Sequence, residues 1–256
     1  MLRFVDTHTH LYLPDFDIDR DACLKNALDA GVDRMILPNI DSHSVEALNQ
    51  LTEAYPQNFF PLMGLHPTYV KEDYLNELNC IFTHLESGKY KGVGEIGLDL
   101  YWDQKYLKEQ TDAFLMQINY AIEKKLPAII HVRDAFDETF KALESLKAKK
   151  IEGIFHAFTG NLEQAQKAIE MGFLIGIGGI ISFKNTHLKE VVRNLDLNHL
   201  VLETDSPYLA PVPYRGKRNQ SSYLPLVAEC IAELKGLRVE EVALVTTKNA
   251  ERIFQL

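Results

Sequence analysis

Apolar residues in this chain fall in short runs, each ended by glycine or a polar residue, and the runs alternate with longer stretches that repeat their apolar positions at helical spacing. Short bounded runs of this kind read as buried strands. Eight stand out: Phe4–His8, Arg34–Ile40, Phe59–Leu65, Gly92–Gly97, Ala128–Val132, Gly153–Phe158, Phe173–Gly178 and Leu200–Glu203. The stretches between them predict helices over Arg20–Ala30, Ser44–Tyr55, Tyr74–Glu86, Gln104–Lys125, Phe136–Lys149, Leu162–Met171, Leu188–Asn194 and Tyr223–Lys235. Gly31 and Gly172 stand where two of these helices should stop, as glycines after a helix C-terminus do. Strand and helix thus alternate eight times, which implies parallel strands joined by crossover helices. Eight such units fit closure into a (β/α)8 TIM barrel of the α/β class, with its site at the C-terminal ends of the strands. Val239–Phe254 predicts a last helix that closes the bottom or side of the barrel. An open doubly wound sheet would need a glycine-rich phosphate loop after the first strand, where this chain carries Asp6-Thr7-His8-Thr9-His10. No linker or low-complexity tract interrupts the alternation, so residues 1–256 are expected to form one domain.

The residues at the strand ends carry the chemistry. His8 and His10 are two apart at the end of the first run, and residues i and i+2 share a strand face. His66 ends the third, Glu95 lies in the fourth with Asp99 after it, and His131 ends the fifth. His156 lies in the sixth, and Glu203 and Asp205 end the eighth. Five of the nine histidines therefore fall at strand C-termini; His43, His84, His187 and His199 do not, and no role is assigned to them. One buried histidine is commonly structural. Five with several carboxylates at one end of one barrel would be costly to bury without a cation. Nitrogen and carboxylate donors without thiolates suit Zn, Mn or a similar divalent ion, with Mg less natural. The expected arrangement is two ions, with His8, His10 and Asp205 on one, His131 and His156 on the other, and Glu95 bridging both.

Length and composition support this and narrow it. A chain of 256 residues with 46% hydrophobic and 25% charged residues is ordinary for one globular barrel. No run approaches a membrane span of roughly 18 apolar residues, and no signal-peptide pattern opens the chain. Cys23, Cys80 and Cys230 are odd in number and form no CxxC pair, so a reducing cytoplasm is expected. The net charge of −9 argues against coating duplex DNA through a broad basic face. It leaves open an enzyme that touches a strand end through a few local cations.

The ordered motifs resemble the TatD family of metal-dependent deoxyribonucleases, within the wider amidohydrolase-like barrels. They are DTHTHL at 6–11, GLHP at 64–67, GEIGLD at 94–99, HVRDA at 131–135, FHAFTG at 155–160, ETDSPYLAP at 203–211 and RGKRN at 215–219. The resemblance runs nearly end to end. It implies a (β/α)8 fold, divalent-metal dependence through the ligands above, and hydrolysis of DNA phosphodiester bonds. It also supports 3′→5′ exonuclease polarity. Many amidohydrolase-like barrels bridge their ions with a carboxylated lysine on the fourth strand. Glu95 stands there in this chain, and its own carboxylate can bridge without CO2.

On this reading Asp205 orients the attacking water and takes its proton. His66 contacts the substrate phosphate, or is instead a satisfied histidine behind the ligands. Glu203 orients a ligating histidine, and Asp99 does the same or caps the following loop. Arg133, two residues after His131, is placed to clamp a phosphate. Arg215, Lys217 and Arg218 crowd a loop after the eighth strand, where barrels often bind phosphate. Tyr101 and Trp102 are candidates to stack on a base, against ordinary loop packing. A barrel mouth admits a single-stranded or frayed end more easily than intact duplex, and a monomer is expected. The alternatives are an amidohydrolase or esterase on a small molecule, and a non-catalytic metal-dependent nucleic-acid-binding protein.

Overall fold

In the computed structural model residues 2–102, 104–146 and 151–256 are described. Among them the chain forms eight strands: β1 (Phe4–Asp6), β2 (Val32–Pro38), β3 (Phe59–Leu62), β4 (Val93–Asp99), β5 (Ala128–Arg133), β6 (Gly153–Phe155), β7 (Phe173–Ile177) and β8 (Leu200–Leu202). Each adjacent pair is parallel, in the orders β1-β2-β3 and β4-β5-β6-β7-β8. Two bridges join these arcs, Met63 to Val93 and Thr9 to Ser206, both parallel. Across the second seam, the amide of Thr7 donates to Leu202 O at 3.0 Å, and those of Asp205 and His10 donate to His8 O and Ser206 O, each at 2.8 Å. The sheet is therefore a closed (β/α)8 barrel.

The crossover helices are α1 (Arg20–Asp29), α2 (Val45–Ala54), α3 (Tyr74–Leu85), α4 (Leu107–Lys124), α5 (Phe136–Ser145), α6 (Leu162–Glu170), α7 (Leu188–Asn194) and α8 (Leu224–Lys235), followed by α9 (Val239–Phe254). The expected helices all form. The part of the fifth that reaches Lys147–Lys149 lies outside the described residues. Helix α4 starts three residues later than expected, at Leu107.

Alternation along the strands sorts side chains into two layers. Val5, Ile36, Leu62, Ile129, Ile154, Leu174 and Val201 form one buried cluster inside the barrel. Their neighbours Phe4, Leu37, Met63, Ile130, Phe155, Ile175 and Leu202 belong to the larger core between barrel and helices. One pleat further along, the same inner face carries His131 after Ile129, His156 after Ile154, and Glu203 after Val201. The apolar floor and the polar mouth are thus consecutive layers of one lining.

Two strands depart from simple alternation, and both departures serve the mouth. Val5 and His8 are three residues apart, so a regular strand cannot turn both inward. The regular ladder of β1 accordingly ends at Asp6, short of the expected His8. In β4 the register shifts between Val93 and Ile96. There Gly94 sits against Ile129, where an added Cβ would lie 2.8 Å from the isoleucine Cβ. Strands β3, β6, β7 and β8 also end one to three residues before their apolar runs do; beyond β6, His156 and Ala157 leave the ladder to line the mouth.

Helix α9 closes the floor: Ala250, Ile253 and Phe254 pack into the inner cluster. Phe254 is 1% exposed. Phe254→Ala is expected to lower unfolding free energy by about 3–5 kcal/mol, read by denaturant titration. A loss below about 1 kcal/mol would show that α9 does not complete the core.

Candidate metal centre

Asp6 joins the two ends from which much of the site hangs. Its Oδ1 accepts the amides of Thr204 at 2.9 Å and His8 at 3.3 Å, and its Oδ2 accepts the Thr204 hydroxyl at 2.6 Å. Burial pushes this carboxyl up to about 7, against the pull of those hydrogen bonds. The clasp locks the segment bearing His8 and His10 to the segment bearing Asp205. Asp205 itself sits at φ +56°, a left-handed conformation that aspartate tolerates better than most residues and that is often found at functional turns.

Five imidazoles converge on the two oxygens of Glu95. On the Oε2 side, His8 Nε2 lies at 3.1 Å and His10 Nε2 at 3.5 Å. On the Oε1 side, His156 Nε2 lies at 2.7 Å, His131 Nδ1 at 3.0 Å and His66 Nε2 at 3.3 Å. Asp205 Oδ1 joins the first side, 3.7 Å from His8 Nε2 and 3.6 Å from His10 Nε2. His156 stands between the sides, its ring stacked on His8 at 3.8 Å. Among the described residues three triplets place their donor atoms within 4.8 Å of one another: His8, His10 and Glu95; His8, His156 and Asp205; His66, Glu95 and His131.

The outer ring nitrogens decide which imidazoles can ligate. Tyr12 donates its hydroxyl proton to Pro38 O at 2.7 Å, so its oxygen accepts from His10 Nδ1 at 3.1 Å. Neutral His10 therefore keeps its lone pair on Nε2, facing Glu95 and Asp205. His131 Nε2 meets the acceptor Asp99 Oδ2 at 3.0 Å, which leaves Nδ1 as the free lone pair. Glu203 Oε1 faces His156 Nδ1 at 3.7 Å and favours the proton there, again leaving Nε2. Such outer partners hold metal-binding histidines in one tautomer. His66 is the reverse case. Its Nδ1 accepts the Thr68 amide at 3.2 Å, so Nε2 carries the proton and points a donor into the site. His66 is thereby set apart from the ligand triplet it would form with Glu95 and His131.

The donor set fits divalent cations: buried imidazoles and carboxylates, no thiolate among the described residues, and the outer nitrogens of His10 and His131 held by Tyr12 and Asp99, while His156 Nδ1 makes no hydrogen bond and only faces Glu203. Charges within the cluster act strongly on one another. Burial opposes the charged form of His10, but hydrogen bonds to Asp205 and Glu95 lift it to about 9. His131 and His156 are raised too, where Asp99, Glu95 and Glu203 outweigh burial. Burial holds His8 and His66 down. Glu95 stays well below the usual carboxylate range because the surrounding imidazoles outweigh its burial.

Above the centre lies a cleft of about 700 Å³. His10, His66, Glu95, His131, His156 and Asp205 open onto it, as do Arg133, Tyr101 and Trp102. The Arg133 guanidinium lies 3.7 Å from the Tyr101 ring centroid and 5.4 Å from that of Trp102. Glu203 does not reach the cleft. It is fully buried, accepts the Ala157 amide and backs His156, and Gly176 leaves it room, since a Cβ there would lie 2.3 Å from its Oε2. Arg215, Lys217 and Arg218 of the basic loop do not line the cleft. Arg218 donates to Asp15 O and Asp19 Oδ2, each at 2.6 Å, and covers Phe16. Arg215 covers Phe183, and Lys217 lies over Tyr214. Sequence reasoning missed Asp6, Tyr12, Tyr69 and Tyr208. Asp6 and Tyr12 flank the His8–His10 pair closely enough that proximity was a usable signal. Tyr69 and Tyr208 carried none beyond following His66 and Asp205 by three residues.

A family model described as TatD related DNase matches residues 5–255. An uncharacterized metal-dependent hydrolase, YabD of Bacillus subtilis, is 37% identical over 252 residues, covering 98% of each chain. A second, YcfH of Escherichia coli K12, is 42% identical over 195 residues, 75% of this chain and 72% of that one. The crystal structure of YjjV, a TatD homolog from Escherichia coli K12, superposes with a TM-score of 0.93 at 30% identity over 100% of this chain and 99% of that one. A phosphotriesterase homology protein from Escherichia coli, TM-score 0.72 at 15% identity over 99% of each chain, shares the fold.

Two predictions follow from the tautomers and charges. His66→Ala should keep the metal content of wild type, whereas His131→Ala should lose about one ion of two, as read by elemental analysis. Equal losses in both would make His66 a ligand. Because His10, His131 and His156 are raised in pKa, loading at pH 7 should expel protons, and affinity should rise with pH. Calorimetry in buffers of different ionisation enthalpy reads this directly; no buffer dependence would contradict it.

Proposed function

The chain belongs to the TatD-related DNase family, and on that footing we propose that it is a divalent-metal-dependent exonuclease acting on single-stranded or frayed DNA ends, with the 3′→5′ polarity that the family resemblance implies. That it is a metal-dependent hydrolase follows from the family itself. The observation that carries the finer reading is Arg133. It is the one Lys or Arg side chain among the described residues lining the cleft, and it stands beside the bridging carboxylate's ring of imidazoles. A guanidinium there matches a phosphate with paired hydrogen bonds. The Tyr101 ring centroid lies 3.7 Å from its central carbon. A cleft of about 700 Å³ is in the range of small-ligand sites, so it suits a strand end better than a length of duplex.

Divalent ions bound around Glu95 would supply acidified water and screen the phosphate's negative charge. The protein's own groups then divide the remaining work. Asp205, ionised because its histidine neighbours outweigh its burial, takes the proton of the attacking water at a carboxylate oxygen. His66 gives a hydrogen bond from its Nε2–H to a non-bridging phosphate oxygen, where negative charge gathers, and as the P–O ester bond breaks the leaving oxygen takes up the proton held by Asp205. Arg133 holds the neighbouring phosphate, and Tyr101 and Trp102 offer ring faces to a base. The three cysteines are unpaired, and the same reading takes the chain as a cytoplasmic monomer. Among the described residues no helix is long and apolar enough to cross a membrane.

A metal screen with Mg, Mn, Zn and Co on end-labelled single- and double-stranded oligonucleotides tests the proposal. Stepwise shortening of single strands is expected. Asp205→Asn should lower kcat by at least about a hundredfold while remaining folded. His131→Ala should be inactive, which excludes a contaminating nuclease. Absence of cleavage with every ion, alongside turnover of lactones or cyclic amides, would move the assignment to a small-molecule amidohydrolase.

A further inference from the structure

Two glutamines stand on the buried stripe of α4. Gln110 and Gln117 are about two helical turns apart, so they share a face, and they are only 3% and 1% exposed. Ala113 and Phe114 fill the stripe between them, and Ile118 and Ala121 continue it. An amide buried there without partners would cost about 1–3 kcal/mol, which an aliphatic side chain avoids. Both amides are answered in the same way. Gln110 Oε1 accepts the amide of Asp99 at 2.9 Å, and its Nε2 donates to Asp99 O at 3.1 Å. Gln117 Oε1 accepts the amide of Leu65 at 2.7 Å, and its Nε2 donates to Leu65 O at 3.2 Å. Each glutamine thus grips both backbone groups of one residue, as a neighbouring strand would.

A neighbouring strand is what these two residues lack. Backbone groups of successive strand residues turn to opposite edges. Across β4 and β5 the amide of Leu100 donates to Arg133 O at 2.9 Å, so the N–H and carbonyl of Asp99 turn away from β5. The amide of His66 donates to Ile40 O, just beyond β2, at 2.9 Å, so those of Leu65 turn away from β2. Lower down, the β3 and β4 segments do meet: the amide of Met63 donates to Gly92 O at 3.3 Å, and that of Gly94 to Met63 O at 3.1 Å. Above Gly94 no further backbone bond joins them among the described residues, and the Glu95 amide donates instead to Asn39 O at 2.9 Å. The glutamines of α4 take over where this seam opens. Both residues they grip adjoin the site. Asp99 Oδ2 accepts from His131 Nε2 at 3.0 Å, and Leu65 precedes His66, whose Nε2 lies 3.3 Å from Glu95 Oε1.

We infer that Gln110 and Gln117 are positioning residues for two separate functions that meet at this seam. Gln110 fixes Asp99, and through it the His131 ring, with the Nδ1 lone pair turned to Glu95 and a cation. Gln117 fixes Leu65, and with it the His66 donor, toward the substrate phosphate. Each glutamine grips a different strand end, so loss of one leaves the other in place. The His66 half rests on the phosphodiesterase reading above; the His131 half rests on cation binding alone.

The test compares Gln110→Met and Gln117→Met, which keep side-chain length and lose both hydrogen bonds, with Phe114→Leu, which loosens the same stripe between them. Mn affinity is read by chelator competition, and kcat and KM on bis(p-nitrophenyl) phosphate at saturating Mn. Gln110→Met should weaken one of the two Mn sites by about tenfold and leave kcat at saturating Mn near that of wild type. Gln117→Met should leave both Mn affinities unchanged and lower kcat by about tenfold at constant KM. Phe114→Leu should lower the denaturant midpoint with neither effect. Should a Met variant not fold, Gln110→Glu and Gln117→Glu, which keep an acceptor for the strand amide and lose the donor to the strand carbonyl, must show the same split. The same change in both readouts from both glutamines, or either effect reproduced by Phe114→Leu, overturns the inference, as does no change in either variant. Failure of wild type to hydrolyse bis(p-nitrophenyl) phosphate with Mn removes the phosphodiesterase reading and the Gln117 half with it, while the Mn affinities still decide the Gln110 half.

Discussion

Taking an ionised carboxylate out of water costs several kcal/mol unless its lone pairs are answered, and Glu95 is only 3% exposed. Its oxygens are answered from opposite sides, by His8 and His10 on Oε2 and by His131, His156 and His66 on Oε1. Neither side could accept Glu95 if the side chain moved by a pleat. The register shift in β4 and the departure of β1 from its ladder after Asp6 both follow from the need to bring these groups to one point. A bridging carboxylate at the centre of two donor sets is the arrangement a cation pair requires, and the outer partners Tyr12 and Asp99 turn the lone pairs of His10 and His131 toward it.

The rest of the barrel keeps that point rigid. Apolar side chains fill the floor, and α9 closes it with Ile253 and Phe254. Packing and chemistry are therefore layered along the same strands: Ile129 with His131, Ile154 with His156, Val201 with Glu203. Substitution in the floor acts on stability, and substitution one pleat higher acts on the site. Asp6 joins the layers at the seam between β1 and β8, where the barrel closes through loops and bridges rather than through a long ladder.

The sequence told much about the barrel and the convergence, and less about the walls of the cleft. Short bounded apolar runs and helical spacing made the eight units legible. Histidines and carboxylates at the strand ends made the centre legible, since residues at strand C-termini of a parallel barrel must meet. The polarity of His66 was not legible, because it depends on the Thr68 amide, a contact within a 3-10 turn over Pro67–Tyr69. The contacts of the basic run Arg215–Arg218 were not legible for a related reason. Charge along the chain does not reveal which cations are already paired, and Arg218 reaches back to Asp15 and Asp19, which precede it by about two hundred positions. Tyr69 and Tyr208 looked like any surface tyrosines until the fold placed them beside His66 and His10.

Glu95 as a shared ligand is the feature from which the rest of the site follows. Crystals grown with Mn and measured at its absorption edge would locate bound ions by anomalous scattering. Two peaks flanking the Glu95 carboxylate about 3.5–4 Å apart, with His66 Nε2 bonded to neither, are the predicted result. A single peak, or one held by His66 in place of His131, would contradict it.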